Sequence, residues 1–275
     1  MTTALATAEP IPAKPAYRAA NFTDAVRAEW TKARTVPSTI WTLIVAAVLG
    51  IGLGALISAV SANQYGKSAS TRASWDPTSI SASGLGIAQL SIGVLGALLM
   101  TSEYSSGAIG SSLAAVPRRS RLLAAKAAVV VSVVFVVTEL ITFVSFFIGQ
   151  ALISAHAPSA GLGDAHVLRA LIGGGLYGAG IGLLGLLFGT ILRSAAAAIS
   201  LLVALLFVLP GIAAALPASI EHTVEKFWPT QAGQQVAGVV RGDHTLPPWA
   251  GFAVFCLFVA IIAAAAFYEL NRRDA

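Results

Sequence analysis

Six long apolar runs, near residues 39–60, 81–101, 123–153, 168–190, 195–217 and 249–268, divide this chain. Each reaches or approaches the roughly 20 residues that a helix needs to cross hydrocarbon. An unpaired backbone is too costly in lipid, so interrupted runs are expected to be helical as well. The third run is long for one crossing and should tilt or project beyond the bilayer. Only Arg193 and Ser194 separate the fourth run from the fifth, which predicts a tight helical hairpin. Merged, the two would far exceed a membrane's thickness.

The polar stretches carry their own pattern. Residues 1–20 are rich in Ala, Thr and Pro without apolar periodicity, and read as a disordered tail. Over 21–37 an amphipathic helix is expected, with Asn21 as cap and Asp24 three residues on. Phe22, Val26, Trp30 and Ala33 fall within an arc of about 80°, with Arg27 and Arg34 roughly opposite. Such a helix either lies along the membrane surface or packs on a partner. Residues 38–270 then form one transmembrane domain, followed by a short tail over 271–275.

Lys and Arg give the orientation. With the amino terminus inside, the cytoplasmic side holds Lys14, Arg18, Arg27, Lys32, Arg34, Arg118, Arg119, Arg121, Lys126, Arg193, Arg272 and Arg273. The outer side then holds Lys67, Arg72, Arg169, Lys226 and Arg241, a ratio of twelve to five. Both termini are therefore expected in the cytoplasm, with outer loops at 61–80, 154–167 and 218–248.

Composition agrees with lipid as the surroundings. Of 275 residues, 56% are hydrophobic and only 11% charged, against about 25% charged in soluble domains. The net charge of +5 does not point to nucleic acid, because the basic residues sit between apolar runs rather than in one patch. Cys256 stands alone within the last run and suggests neither a disulfide nor a metal. No secretory signal peptide is expected, since a long charged segment precedes the first apolar run and no cleavage site follows it.

Catalytic signatures are not found. Gly66-Lys67-Ser68 lacks the glycine of a phosphate loop five positions earlier, where Ser61 stands. His156, His166, His222 and His244 fall in outer loops, where solvated side chains are expected, and no HExxH occurs. The chain is thus expected to hold no cofactor or metal of its own.

Three segments invite a functional reading. In 102–120, Glu103 and Tyr104 mark a membrane exit, Gly107 and Gly110 allow a bend or close approach, and Pro117 ends a short helix. This is either an ordinary basic loop or a short helix suited to insertion in a partner's groove. In the third run, Glu139 shares a polar face with Ser132, Thr138, Thr142, Ser145 and Gln150. An isolated carboxylate costs about 2.5–3.5 kcal/mol at the bilayer centre, so Glu139 should face protein or a wet cavity, in a pathway or in a hydrogen-bonded helix pair. In the fourth run, Gly174, Gly178 and Gly182 repeat at GxxxG spacing and predict close helix packing, within the chain or across a dimer. Ile220, Val224, Phe227 and Trp228 sit at helical spacing in the 218–248 loop, as a surface helix or one that lids a pathway.

Several motifs resemble the type-2 ABC-transporter permease family, especially its actinobacterial antibiotic- and drug-efflux subunits. They are Ser102-Glu103-Tyr104, Gly107-Ala108-Ile109, Pro117-Arg118-Arg119, Leu122-Leu123 and Lys126, with Ala28–Leu43 and Phe227–Gly233 matching the family's first helix and outer segment. Gly110 departs from the pattern, standing where a basic residue often follows. The resemblance implies an all-α membrane subunit of a bacterial cell-membrane exporter, paired with a second permease copy or homologue. It also implies cytoplasmic ABC ATPase partners that bind ATP and Mg, with Glu103, Tyr104, Gly107, Ile109, Arg118 and Arg119 coupling to them. The cargo would be a hydrophobic or amphipathic antibiotic, drug or lipid. An ion-coupled secondary transporter would instead show paired intramembrane ionisable groups, and an ABC importer would carry Gly six residues after the loop Glu rather than four. A non-transporting scaffold or sensor is a further alternative.

Overall fold

The computed structural model describes residues 21–272 apart from Pro117 and Asp243, and only the backbone of Leu113, residues 218–220 and Glu225. The expected tail over 1–20, with Lys14 and Arg18, and Arg273 in the other tail, lie outside the described residues. So do the helix-ending role of Pro117 and the side chain of Ile220.

The fold is all-α among the described residues, with six helices long and apolar enough to cross a membrane. Helix α1 (Phe22–Thr35) opens with the expected capping box: Asp24 N–H donates to Asn21 Oδ1 at 2.8 Å, and Asn21 N–H to Asp24 Oδ2 at 3.1 Å. Val36 in extended conformation and Pro37 at the first helical position turn the chain into α2 (Pro37–Gln64), the first crossing. A one-turn helix, α3 (Ala69–Ala73), follows.

The second crossing starts earlier than the apolar run suggests. Asp76 caps α4 (Pro77–Ala82) by accepting from Thr78 N–H and Ser79 N–H, and the chain continues through a kink at Ser83–Gly84 into α5 (Leu85–Ser105). Gly84 is required at the kink, because a Cβ there would run into the α2 backbone at Gly50.

A short helix, α6 (Ala108–Ala115), precedes the third crossing, α7 (Arg119–Ile153). At 35 residues α7 is about 52 Å long, well beyond the hydrocarbon thickness. Helix α8 (Val167–Leu192) is the hub: 78% of its apolar window is buried, against 22% for α2. Its glycines explain why. A Cβ on Gly185 would strike the Gly93 carbonyl of α5, and one on Gly96 the Gly182 carbonyl of α8. Backbones this close need small residues at the crossing.

The expected hairpin is present. Arg193 adopts a left-handed conformation (φ 52°), ending α8, and Ser194 caps α9 (Ala195–Val203). The helix widens into a π turn over Ala204–Val208 and resumes as α10 (Leu209–Ala213). Pro210 lacks an N–H, which favours such a widening one turn earlier. On the face opposite α1 and α6 lie α11 (Ala218–Phe227) and α12 (Pro229–Gln234). Trp228 Nε1–H donates to the Leu205 carbonyl at 3.0 Å, reaching an acceptor within the π turn. Helix α12 is no surface loop: Ala232 and Gly233 are buried, and Gly233 lies against Phe255. The last crossing, α13 (Pro248–Arg272), ends beside the start of α7, where Arg119 Nη1 donates to the Leu270 carbonyl at 3.1 Å. The beginning and end of the described chain therefore share one face of the bundle.

Candidate functional site

Two sharp backbone events place α6 on the amino-terminal face. Helix α5 ends at Ser105, and Gly107 follows at φ +71°, a conformation that costs an L-residue with a side chain about 1–2 kcal/mol. The chain turns there and lays α6 across the bundle end. Ile109 and Val116 are its buried anchors, each 5% exposed. Gly110 faces open space, so the expected bend belongs to Gly107 alone.

Beneath α6 lies a charge network that joins three distant segments. Lys126 Nζ on α7 donates to Glu29 Oε2 at 2.5 Å and to Glu103 Oε1 at 2.7 Å. Lys32 Nζ on α1 donates to Glu29 Oε1 at 2.9 Å, to Glu103 Oε1 at 2.8 Å and to Ser112 Oγ of α6 at 3.3 Å. Lys126, Glu29 and Glu103 are 3%, 5% and 7% exposed, whereas the Lys32 side chain is 41% exposed. The two lysines and two carboxylates balance, so the cluster carries no net charge. Burial alone would lower the Lys32 pKa, but hydrogen bonds and charge from Glu103 and Glu29 outweigh it and raise the pKa above its ordinary value. Its ammonium form persists through neutral pH. The network, with Val36, Thr39, Leu95 and Leu99, borders a cavity of about 340 Å3.

The Glu103 carboxylate is turned inward onto Lys126 and Lys32. The exposed surface of this segment comes instead from Ser106, Gly107, Ala108, Gly110, Ser111, Ala114 and Ala115. Tyr104 sits under the Arg193 guanidinium, 5.1 Å from ring centroid to Cζ, which ties the α5 end to the α8–α9 hairpin. Arg118 is exposed, and Arg119 reaches α13 as described.

The apolar arc read on α1 is divided. Phe22 and Trp30 are 46% and 48% exposed, while Ala25, Glu29 and Ala33 face the protein. Sequence reasoning missed Glu29 and Lys32 as site residues, and met Lys126 only as a cytoplasmic basic residue and part of the family-like motif. The Glu29–Lys32 spacing of three, on one helical face, was the available signal.

Deeper in the bundle, the polar face of α7 serves several neighbours. Thr138 Oγ1 lies 3.2 Å from the Gly175 carbonyl, Ser145 Oγ donates to the Gly50 carbonyl at 3.2 Å, and Gln150 Nε2 donates to the Pro77 carbonyl at 2.8 Å. Thr142 is buried and bonds its own helix at Thr138. Ser132 is exposed, so the face is not one continuous wall. Glu139 packs against Gly175, and both its carboxyl oxygens are buried without a hydrogen bond among the described residues. Gly174, Gly178 and Gly182 point at Thr142, Thr138 and Val134 of α7, which places this glycine row within one chain.

A family model described as ABC-2 family transporter protein matches residues 25–211, from α1 through the π turn and α10. The chain belongs to this family. No curated protein matches it. The ABC-2 match and the six apolar helices make the chain a multi-pass membrane transport component. The matched stretch contains the whole charge network and α6, and α12 with α13 lies beyond it.

Proposed function

We propose that this ABC-2 permease is the membrane subunit of an ATP-driven exporter in the bacterial plasma membrane, moving a hydrophobic or amphipathic compound outward. The face bearing α1 and α6 is cytoplasmic, in keeping with the twelve-to-five distribution of Lys and Arg. Separate ABC ATPase subunits bind ATP and Mg, and α6 fits a groove on them. A second permease copy or homologue completes the pathway. The observation that carries this reading is the attachment of α6: an exposed, small-residue helix hung on a buried charge network that links α1, α5 and α7. A push on α6 reaches α5 through Gly107 and α1 through Ser112–Lys32. Because the network is buried and its partners are discrete, displacement favours one arrangement or another rather than continuous bending. Glu103 acts here as a positioning residue.

The test uses co-purification of the ATPase with the permease, and substrate-stimulated ATP hydrolysis in liposomes. Replacing residues 105–112 by a Gly-Ser stretch should abolish co-purification. Glu103→Gln should preserve co-purification and reduce stimulation. Normal values of both readouts in both variants would remove the assignment and favour a non-transporting scaffold.

A further inference from the structure

A second cluster of charge lies on the opposite face, between α11 and the strand-free segment that leads into α13. His222 and Lys226 of α11 and Arg241 and His244 of that segment converge on a pocket of about 300 Å3. The two imidazoles stack, with centroids 3.8 Å apart and planes inclined by 18°. His244 is exposed, as expected of an outer-loop histidine, and His222 is half-buried. No carboxylate lies among the described lining residues. Lys226 Nζ makes no ion pair among the described residues, and it sits 5.4 Å from the Phe227 ring. Arg241 is held in place because Nε and Nη2 both donate to the Thr245 carbonyl, at 3.1 and 2.9 Å. Two permanent cations, Lys226 and Arg241, thus share the pocket with two stacked imidazoles. Lys226 and Arg241 are both donors suited to an oxyanion through charge-assisted hydrogen bonds.

The surroundings identify the kind of anion. Phe227 is 53% exposed, and Val240 and Trp249, which flank the same segment, are 57% and 56% exposed. Exposed aromatic residues at the end of a crossing mark the headgroup level of a bilayer. We propose that the His222–Lys226–Arg241–His244 pocket binds the headgroup phosphate of an anionic phospholipid in the adjoining leaflet, with the acyl chains along Phe227. The inference goes beyond the transport reading and rests only on the membrane arrangement of α11 and α13.

The experiment takes the full purified chain, without ATPase or transported compound, so its outcome is separate from that of the export reading. Lipid retention by native mass spectrometry is compared for phosphatidylglycerol and phosphatidylcholine of identical chains. Phosphatidylglycerol should be retained about tenfold more strongly, the ratio that 1.4 kcal/mol gives. Lys226→Gln with His222→Gln should bring it to the phosphatidylcholine level, with the melting temperature in detergent unchanged; Arg241 is left intact because it braces the loop. Should the double variant fold poorly, Lys226→Gln alone should lower the ratio several-fold. Equal retention of the two lipids, or a phosphatidylglycerol excess that survives these substitutions, overturns the proposal. Inorganic phosphate forms the third arm: if millimolar phosphate displaces the lipid and stabilises the lipid-free chain equally, the pocket is a free-anion site and the lipid assignment is wrong.

Discussion

Replacing Lys126 by Met removes the ammonium that bridges Glu29 and Glu103 while keeping most of the side chain's volume. At 3% exposure the site admits little water to take over its two hydrogen bonds, at 2.5 and 2.7 Å. Deleting one partner of a buried ion pair costs about 3–5 kcal/mol, because the charge left behind stays buried. Lys32 still neutralises part of the remaining charge, which points to the lower end, about 3 kcal/mol. For chains of roughly this size that is a fall of about 6–12 °C in melting temperature. Lys32→Met removes as many ion pairs on paper, but its side chain is 41% exposed. Solvent screening reduces such a contribution to about 0–1 kcal/mol. The two variants, measured by thermal unfolding in one detergent, should therefore separate clearly. Adding Glu29→Gln and Glu103→Gln to Lys126→Met should restore most of the loss, since no buried carboxylate is left unpaired and the remaining Lys32 ammonium is 41% exposed. A Lys126→Met chain as stable as the parent, or no more destabilised than Lys32→Met, would refute the buried network.

Three further substitutions probe other parts of the bundle. Glu139→Leu removes a carboxyl with no hydrogen-bond partner among the described residues, so stability in detergent should rise by about 1–3 kcal/mol; a fall in melting temperature would mean that the carboxyl is in fact bonded. Arg193→Gly relieves a left-handed residue at about 1–2 kcal/mol while losing a cation–π contact of similar size. Both this variant and Arg193→Ala lose the side chain's contacts, but Arg193→Ala also keeps the strain and should melt lower; equal melting temperatures for the two would discount the strain. Gly178→Leu would bring side-chain atoms within 2.6 Å of Thr138, and overpacking of this kind costs about 1–3 kcal/mol; unchanged stability would show that α7 and α8 are not in close contact.

The six crossings were legible because each is a long apolar run and lipid leaves the backbone no alternative to helix. Their ends were less so. The start of the second crossing was hidden by Thr78, Ser79, Ser81 and Ser83, although Asp76-Pro77 is a recognisable helix start. The π turn had no sequence signal beyond Pro210. The motif around Glu103 was visible, but its direction was not. Its partners Lys32 and Lys126 lie 71 and 23 positions away, and whether a carboxylate turns inward depends on how α1 docks on α7. The histidine stack was hidden for the same reason, since it joins α11 to a segment on the far side of α12. The glycine row gave close packing from spacing alone, but spacing cannot say whether the facing helix belongs to the same chain.

The exposed face of α6 offers small side chains and no charge. Interfaces reject wrong partners largely through mismatched charge and desolvated polar groups. A smooth surface of Ser, Gly and Ala excludes very little, since any groove of suitable width accepts it. On the proposed docking, fidelity to one ATPase would have to come from neighbours such as exposed Arg118. In a cell holding several related exporters, cross-assembly between their subunits would be governed by a few basic residues at the edge of the contact. Exchanging those residues, and not the helix itself, would be the route to redirecting this permease to a different motor.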